Sequence, residues 1–279
     1  MGVPHPWGVP PRWKVSGFSH PVPPTVRCMQ RRHALRAAAA LTLSAVAGCD
    51  ATEPAHVAPP AAEGSPQRPA TAPSGKPGAD LPDEVQHGPR DRSGVALTFH
   101  GQGDPRQVTA LLDQLRRGAA PVTVLAVGAW LDTQRALGRR ILAEGHELGN
   151  HTQHHADIKS FTSATAYAEI ATCARVIRAV SGSAGRWFRP SQTRFATPTI
   201  KAAARRAGYP TCLSYDVDSR DYTDPGTPAI VANTLAAVQK GSIVSLHFGH
   251  EQTIAAIAPL LAGLKARGLR PVTVADLLG

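Results

Sequence analysis

The stretch GVALTFHGQGDPRQVTALLDQLRRG (residues 94–118) decides the fold class of this chain. It opens with a short, mostly apolar run that does not alternate with polar residues, which is typical of a strand covered on both faces of a sheet. A glycine-rich turn follows, and residues 105–118 predict a helix with Pro105 in its first turn and Gly118 after its last. The stretch is one strand–helix unit of an α/β protein.

The same unit recurs along the rest of the chain, where short apolar runs alternate with longer helical patterns. The later runs that predict strands are PVTVLAVG (121–128), HELGN (146–150), RWFRP (186–190), TCLSYDV (211–217), SIVSLHF (242–248) and LRPVTV (269–274). We therefore predict an α/β fold of about seven parallel strands, either closed into a barrel or left open.

This repeating pattern occupies residues 93–279, which is enough chain for one substantial core. Residues 1–28 hold seven prolines and no acidic residue, and we interpret them as a misannotated extension upstream of a true start at Met29. Residues 29–49 combine a basic start with a short apolar run, the pattern of a secretory signal peptide. Residues 50–92 are rich in Pro, Ala, Gly and Ser and predict a disordered tether.

The signal peptide ends in Val46-Ala47-Gly48-Cys49, which resembles the lipobox of bacterial lipoproteins. That resemblance implies that Cys49 is lipidated, so that the protein is anchored to the outer face of a bacterial cell membrane, or else secreted. The domain at 93–279 carries seven more basic than acidic residues. A mild positive charge suits an anionic cell envelope. Basic residues do not cluster with aromatic ones, so we expect no nucleic-acid partner. We expect a monomer.

Polar residues stand at the carboxyl ends of five predicted strands. In an α/β fold these ends meet at one edge, where functional residues collect. These residues are His100, His151, Arg189, Asp218 and His247. The stretch GNHTQHHADI (149–158) adds His155, four residues after His151, which would place both imidazoles on one face of a helical turn. Clustered imidazoles indicate a transition-metal site, and a solvated loop is the alternative.

Five segments together resemble the motifs of the polysaccharide deacetylases, the NodB-homology family of carbohydrate esterases. They are LTFHGQGD (97–104), GHELGNHTQHH (145–155), WFRPS (187–191), DVDSRDY (216–222) and SIVSLHF (242–248). The resemblance implies a distorted (β/α) barrel and metal-dependent hydrolysis of N-acetyl groups on an envelope polysaccharide. Because the chain carries an anchor and a tether, peptidoglycan is the expected substrate.

The resemblance also implies roles for individual residues. His151 and His155 would hold a divalent metal, usually zinc in this family, which activates water and stabilises an oxyanion. His247 would be the general acid that protonates the leaving amine, and Asp218 the carboxylate that orients and charges it. Arg189 would steady the catalytic base.

Three further residues are expected to bind substrate: Trp187 and Tyr222 as apolar walls for sugar rings, and Ser191 beside them. Cys173 and Cys212 are the only two thiols of the domain. Cys173 lies on the apolar face of the predicted helix 164–180, and an exported chain permits oxidation. We therefore expect a disulfide between these two cysteines, with two separate buried thiols as the competing arrangement.

The first motif departs from the family. The family writes Thr-Phe-Asp-Asp-Gly, with one aspartate as base and the next as metal ligand, whereas this chain has His100 and Gly101 at those positions. One alternative is that Asp104, on its Gly-x-Gly loop, folds back and replaces them as ligand or base. Alternatively, His100 acts as the third ligand or as the base. The rival to an enzyme is a non-catalytic glycan-binding module on a degenerate deacetylase fold.

Overall fold

The structure is a computed structural model that describes residues 81–279. The predicted upstream extension, the signal peptide, Cys49 and most of the tether lie outside the described residues and stay predictions.

Eight strands carry the fold in the described residues. They are β1 (Glu84–Val85), β2 (Gly94–Gly101), β3 (Thr123–Ala126), β4 (Glu147–Asn150), β5 (Cys212–Leu213), β6 (Val217–Asp218), β7 (Ile243–His247) and β8 (Arg270–Val272). The strand predicted at 186–190 is reduced to Phe188, which makes one parallel bridge to Asn150 and another to Cys212.

Every ladder between these strands is parallel. The strands β4, β3, β2, β7 and β6 lie side by side in that order, while β8 pairs with the opening residues of β2 and β1 pairs with β5. Phe188 connects β4 to β5, so the path of strands curves round into a distorted barrel. The predicted fold class is confirmed.

Between residues 81 and 279, eight α-helices surround the strands. They are α1 (Pro105–Arg117), α2 (Gly128–Thr133), α3 (Arg135–Ala143), α4 (Ser163–Ser181), α5 (Pro198–Arg206), α6 (Thr227–Ala237), α7 (Glu251–Ala266) and α8 (Val274–Leu278). Two short helices, α2 and α3, follow β3 and are separated by Gln134, whose backbone leaves the helical region.

The alternation of side chains along β2 sorts its residues between two cores. Leu97 and Phe99 pack outward among the helices, whereas Ala96 joins the interior of the barrel. Because successive side chains point to opposite faces of a strand, His100 falls on the same side as Ala96. The strand therefore aims His100 into the barrel at its carboxyl end.

The predicted tether extends too far toward the domain. Residues 81–92 lie along the barrel: β1 pairs with β5, and the Gly88 N–H donates to the Gly241 carbonyl oxygen at 2.7 Å. Arg90 and Asp216 form an ion pair at 2.8 Å. The composition of this segment does not reveal that it is folded, because it is held by backbone pairing, by ion pairs with distant residues and by the burial of Val85.

The predicted disulfide is wrong in this structure, where Cys173 and Cys212 are both free and buried. The Sγ–H of Cys173 donates to the Ala126 carbonyl oxygen of β3 at 3.4 Å. Cys212 lies in β5, with Phe188 and β4 between it and β3. Neighbouring strands are about 4.8 Å apart, so the two sulfurs lie too far from each other to bond.

Within residues 81–279, no helix has the length and apolar character needed to cross a membrane.

Candidate metal centre and its acid–base pair

The histidine-rich stretch after β4 is an irregular loop and not the helical turn that the four-residue spacing suggested. Thr152 and His155 have positive φ angles of 67° and 55°, and the Thr152 hydroxyl accepts a hydrogen bond from the His155 N–H. This tight loop brings the rings of His151 and His155 to a centroid distance of 4.8 Å. The same loop turns His154 outward, where it pairs with Glu169.

His151 is fully buried, and one hydrogen bond fixes its orientation. Its Nδ1–H donates to the Arg189 carbonyl oxygen at 2.9 Å. A carbonyl oxygen only accepts, so Nδ1 carries the proton and the lone pair sits on Nε2. Metal-ligating histidines commonly donate their other ring N–H to a backbone carbonyl, which fixes the tautomer and the orientation of the ring.

His100 extends from β2 to meet this lone pair. Its Nδ1 lies 3.0 Å from Nε2 of His151, and its Nε2 lies 3.2 Å from the Ser245 hydroxyl on β7. His100 can use either tautomer here, because a serine hydroxyl both donates and accepts. A metal bound at Nδ1 would leave the proton on Nε2, and Ser245 would accept it.

Three histidines thus form a group with metal-ligand spacing. One ligand nitrogen from each of His100, His151 and His155 lies within 4.8 Å of the others. Burial is the main cause that lowers the pKa of His100 and His151 well below the ordinary histidine value, and the neighbouring imidazoles add to it. Neutral imidazoles keep their lone pairs free for a metal.

The two alternatives for the first motif separate here. Asp104 is exposed and caps α1, where its carboxylate accepts a hydrogen bond from the Arg106 N–H at 2.8 Å. It does not fold back to the histidines, because the cap of the helix holds it. Gly101 lies on the opposite face of β2 from His100, and a Cβ there would meet Val124 Cγ1 at 2.7 Å. His100 is therefore the residue of this motif that reaches the centre.

His247 is the last residue of β7 and lies beside the group, its ring centroid 4.1 Å from that of His100. Its Nδ1–H donates to Asp221 Oδ1 at 2.7 Å, and its backbone N–H donates to Oδ2 at 2.7 Å. Asp221 is fully buried and also accepts from the hydroxyls of Thr253 and Ser219. Burial acts to raise the pKa of Asp221, but these hydrogen bonds outweigh it and lower the pKa below its usual value.

The carboxylate that orients His247 belongs to Asp221 and not to Asp218, so the prediction for Asp218 is wrong. The carboxylate of Asp218 accepts from the Arg220 N–H at 3.0 Å and shapes the turn after β6. The turn then folds Asp221 back under His247. The signal in the sequence was the pair of aspartates three residues apart, and the spacing alone does not say which one faces the histidine.

Arg189 lies behind the centre and is fully buried. Its Nε and Nη2 donate to the carbonyl oxygens of Leu213 and Ser214 at 3.2 and 3.0 Å. Its Nη1 has no partner in the described part of the chain. Burial lowers the pKa of Arg189 to about 10. The predicted role of Arg189, to steady the catalytic base, stays a prediction.

The three predicted substrate contacts have different outcomes. Trp187 is 1% exposed and fills the barrel, with its indole N–H donating to Glu147 at 2.8 Å, so it cannot line a groove. Ser191 is also buried and donates to the Ala156 carbonyl oxygen at 2.6 Å, which ties two loops together. Tyr222 is 49% exposed and its ring lies 5.1 Å from that of His247. Of these three residues, only Tyr222 is open to a substrate.

The fold and the site together define a (β/α)-barrel protein with a histidine centre at the carboxyl ends of its strands. Residues 87–212 match the polysaccharide deacetylase family. A peptidoglycan-N-acetylglucosamine deacetylase of Bacillus cereus is 32% identical over 200 residues, covering 68% of this chain and 90% of that protein. A chitooligosaccharide deacetylase of a Bradyrhizobium strain is 32% identical over 188 residues, covering 62% and 85%.

Among solved structures, a CE4 family pseudoenzyme from Bacillus anthracis superposes with a TM-score of 0.67 at 21% identity, covering 72% of this chain and 70% of that one. At this identity the likeness concerns the fold alone. The chain belongs to the polysaccharide deacetylase family, as the five sequence motifs implied.

Proposed function

We propose that this protein is a metal-dependent hydrolase that removes N-acetyl groups from a cell-envelope polysaccharide. The observation that carries the proposal is the group of three imidazoles beside the buried His247–Asp221 pair. It unites a site for a divalent metal with a histidine that can move a proton.

The donor set suits a divalent metal of the zinc type. Three neutral nitrogen ligands with room for a further ligand are a known catalytic zinc arrangement, and imidazole favours zinc over the oxygen-seeking magnesium or calcium. His100, His151 and His155 would hold the ion. When bound, it would act as a Lewis acid toward a water and the acetyl carbonyl, with no ligand carboxylate to reduce its charge.

His247 supplies the proton for the leaving amine. Asp221 binds Nδ1, so the opposite ring nitrogen, Nε2, is the atom that delivers the proton. The Asp221 carboxylate, 2.7 Å from Nδ1, fixes the orientation of the ring for this transfer. Tyr222 covers the outer side of this histidine and offers an aromatic face to a sugar.

Peptidoglycan is the proposed substrate. The proposed location is the membrane surface outside the cytoplasm, where a lipid attached to Cys49 anchors the protein. Support comes from the signal-peptide pattern and from the Bacillus cereus relative, which is named for its action on peptidoglycan. The Bradyrhizobium relative is named for chitooligosaccharides, so those oligomers are the first substrate to compare.

The test combines metal content with acetate release. The full chain is loaded with zinc and offered peptidoglycan glycan strands, chitooligosaccharides and acetylxylan. Acetate release that requires both metal and His247, and that is largest with peptidoglycan, supports the proposal. Zinc bound in stoichiometric amount without acetate from any of the three would refute it.

A second function is a glycan-binding module without turnover. It is favoured by one observation, the loss of both carboxylates from the first motif, which leaves Arg189 Nη1 without a partner in the described residues. This alternative predicts that a glycan binds with the same affinity to wild type and to His247→Ala, and that neither protein releases acetate.

A further inference from the structure

Arg194 is held in one orientation at the surface of the loop that follows Arg189. Its Nε and Nη2 donate to the Tyr215 carbonyl oxygen at 3.2 and 3.0 Å. Its guanidinium carbon lies 5.1 Å from the ring centroids of both Phe195 and Tyr215. A stacked guanidinium loses little further freedom when it binds a ligand, so it is pre-organised for recognition.

The same contacts connect Arg194 to the histidine centre. Arg189 also lies against Tyr215, 5.3 Å from its ring centroid, so a single tyrosine separates the exposed arginine from the buried one. The loop itself is fixed to the metal-ligand loop, because Gln192 Nε2 donates to the His155 carbonyl oxygen at 2.8 Å. Arg194 is thus held in a fixed position relative to the loop that carries His155.

The surroundings of Arg194 leave its charge available. In residues 81–279, no carboxylate lies within ion-pair distance of it. Phe195, beside it, is 46% exposed, and it is one of two large hydrophobic side chains exposed in the described residues, the other being Tyr222. An exposed aromatic ring next to an oriented cation can bind the apolar face of a sugar together with an anionic substituent on it.

We propose that Arg194 and Phe195 form a subsite for a sugar ring that bears a carboxylate, next to the acetylated sugar. The protein then prefers acidic glycans over neutral ones of equal length. This inference rests on the proposed function, since it names the class of substrate that the site selects.

The experiment compares two tetrasaccharides: neutral N-acetylchitotetraose, and a peptide-free tetrasaccharide of alternating N-acetylglucosamine and N-acetylmuramic acid with free lactyl carboxylates. Kd is measured by calorimetry on the chelator-treated full chain, and kcat/KM on the zinc-loaded chain. We expect wild type to prefer the acidic tetrasaccharide by about tenfold, or ~1.4 kcal/mol. The preference should shrink as salt is raised, because the contact is partly exposed.

Arg194→Gln should reduce the ratio of the two affinities to near one, and Arg194→Lys should keep part of it. The matched control is Arg117→Gln, which removes an exposed arginine at the last residue of α1, at the opposite end of the barrel, and should keep the wild-type ratio. Equal wild-type affinities, or equal ratios in Arg194→Gln and Arg117→Gln, would overturn the inference. Absence of acetate from both tetrasaccharides would instead refute the hydrolysis, while the calorimetric ratio still decides on Arg194.

Discussion

Replacement of Asp221 by asparagine tests the acid–base pair most directly. Each carboxylate oxygen accepts from two donors. Oδ1 accepts from His247 Nδ1–H and the Ser219 hydroxyl, and Oδ2 accepts from the His247 N–H and the Thr253 hydroxyl. The backbone N–H can only donate, so the asparagine oxygen must take the place of Oδ2. The amide NH₂ then faces His247 Nδ1.

This orientation changes the chemistry of the histidine. His247 can meet the NH₂ only by presenting a lone pair at Nδ1, which puts its single proton on Nε2 and makes a second protonation unfavourable. The acceptor that held the Nδ1 proton and oriented the ring is also gone. Turnover should fall by about a hundredfold or more, the usual scale for a disabled general acid. Bound zinc should be retained, because His247 is outside the three-histidine group.

Stability should fall as well. All four hydrogen bonds lose their charge assistance, and the two at Oδ1 must also reverse or break. Hydrogen bonds to charged groups contribute about 1.5–3 kcal/mol each. The neutral amide costs less to bury than the carboxylate, which offsets part of the loss. We expect a decrease of roughly 2 kcal/mol in the free energy of unfolding at neutral pH, measured by urea denaturation.

The loss should depend on pH in a defined direction. Because the folded protein lowers the pKa of Asp221, its ionisation stabilises the fold above the unfolded carboxyl pKa of about 4. That contribution disappears as pH falls through the lower, folded pKa. The difference in stability between wild type and Asp221→Asn should therefore shrink below about pH 4.

Asp218→Asn is the matched control, since its carboxylate makes one hydrogen bond to the Arg220 N–H in a partly exposed turn. It should change turnover less than about threefold, because it removes no contact of His247. If Asp218→Asn proves more damaging to turnover than Asp221→Asn, the assignment of the pair is refuted.

Three further predictions concern other parts of the chain. His155→Ala removes a metal ligand and should weaken zinc binding by more than the roughly 100-fold that loss of a supporting group costs. His154 pairs with Glu169 away from the centre, so His154→Ala should leave the zinc content unchanged. Mass spectrometry measures the zinc content of both variants. The free energy of unfolding of the wild type should be the same with and without reductant, since Cys173 and Cys212 are free; a bridge would add about 4 kcal/mol. Cys49→Ser should move the protein from the membrane fraction to the soluble fraction, and a variant that stays membrane-bound would contradict lipid attachment.

The sequence by itself determined the fold class and the candidate centre in outline. Apolar runs of strand length that alternate with helical patterns predict a parallel sheet covered by helices. The period of two along β2 and the positions of His100, His151 and His247 at strand ends then place their side chains at one edge. Local patterns suffice here because backbone geometry alone carries these residues together.

Only the tertiary structure decided which neighbours complete each group. Asp218 and Asp221 are equivalent in the sequence, and the fold of one turn selects the second. Asp104 and His100 were equal candidates until the cap of α1 held the first away from the centre. Trp187 looked like a groove wall, yet the barrel needs a large side chain to fill its interior.

The two cysteines illustrate the same limit. The position of Cys173 on the apolar face of its helix and the predicted export of the chain were both compatible with a disulfide. The strand order, however, places β4 and Phe188 between Cys212 and the strand that Cys173 contacts. The distance between residues on different elements leaves no periodic pattern in the sequence. Sequence patterns report which face a residue takes on its own element, whereas the partner it meets depends on how separate elements pack.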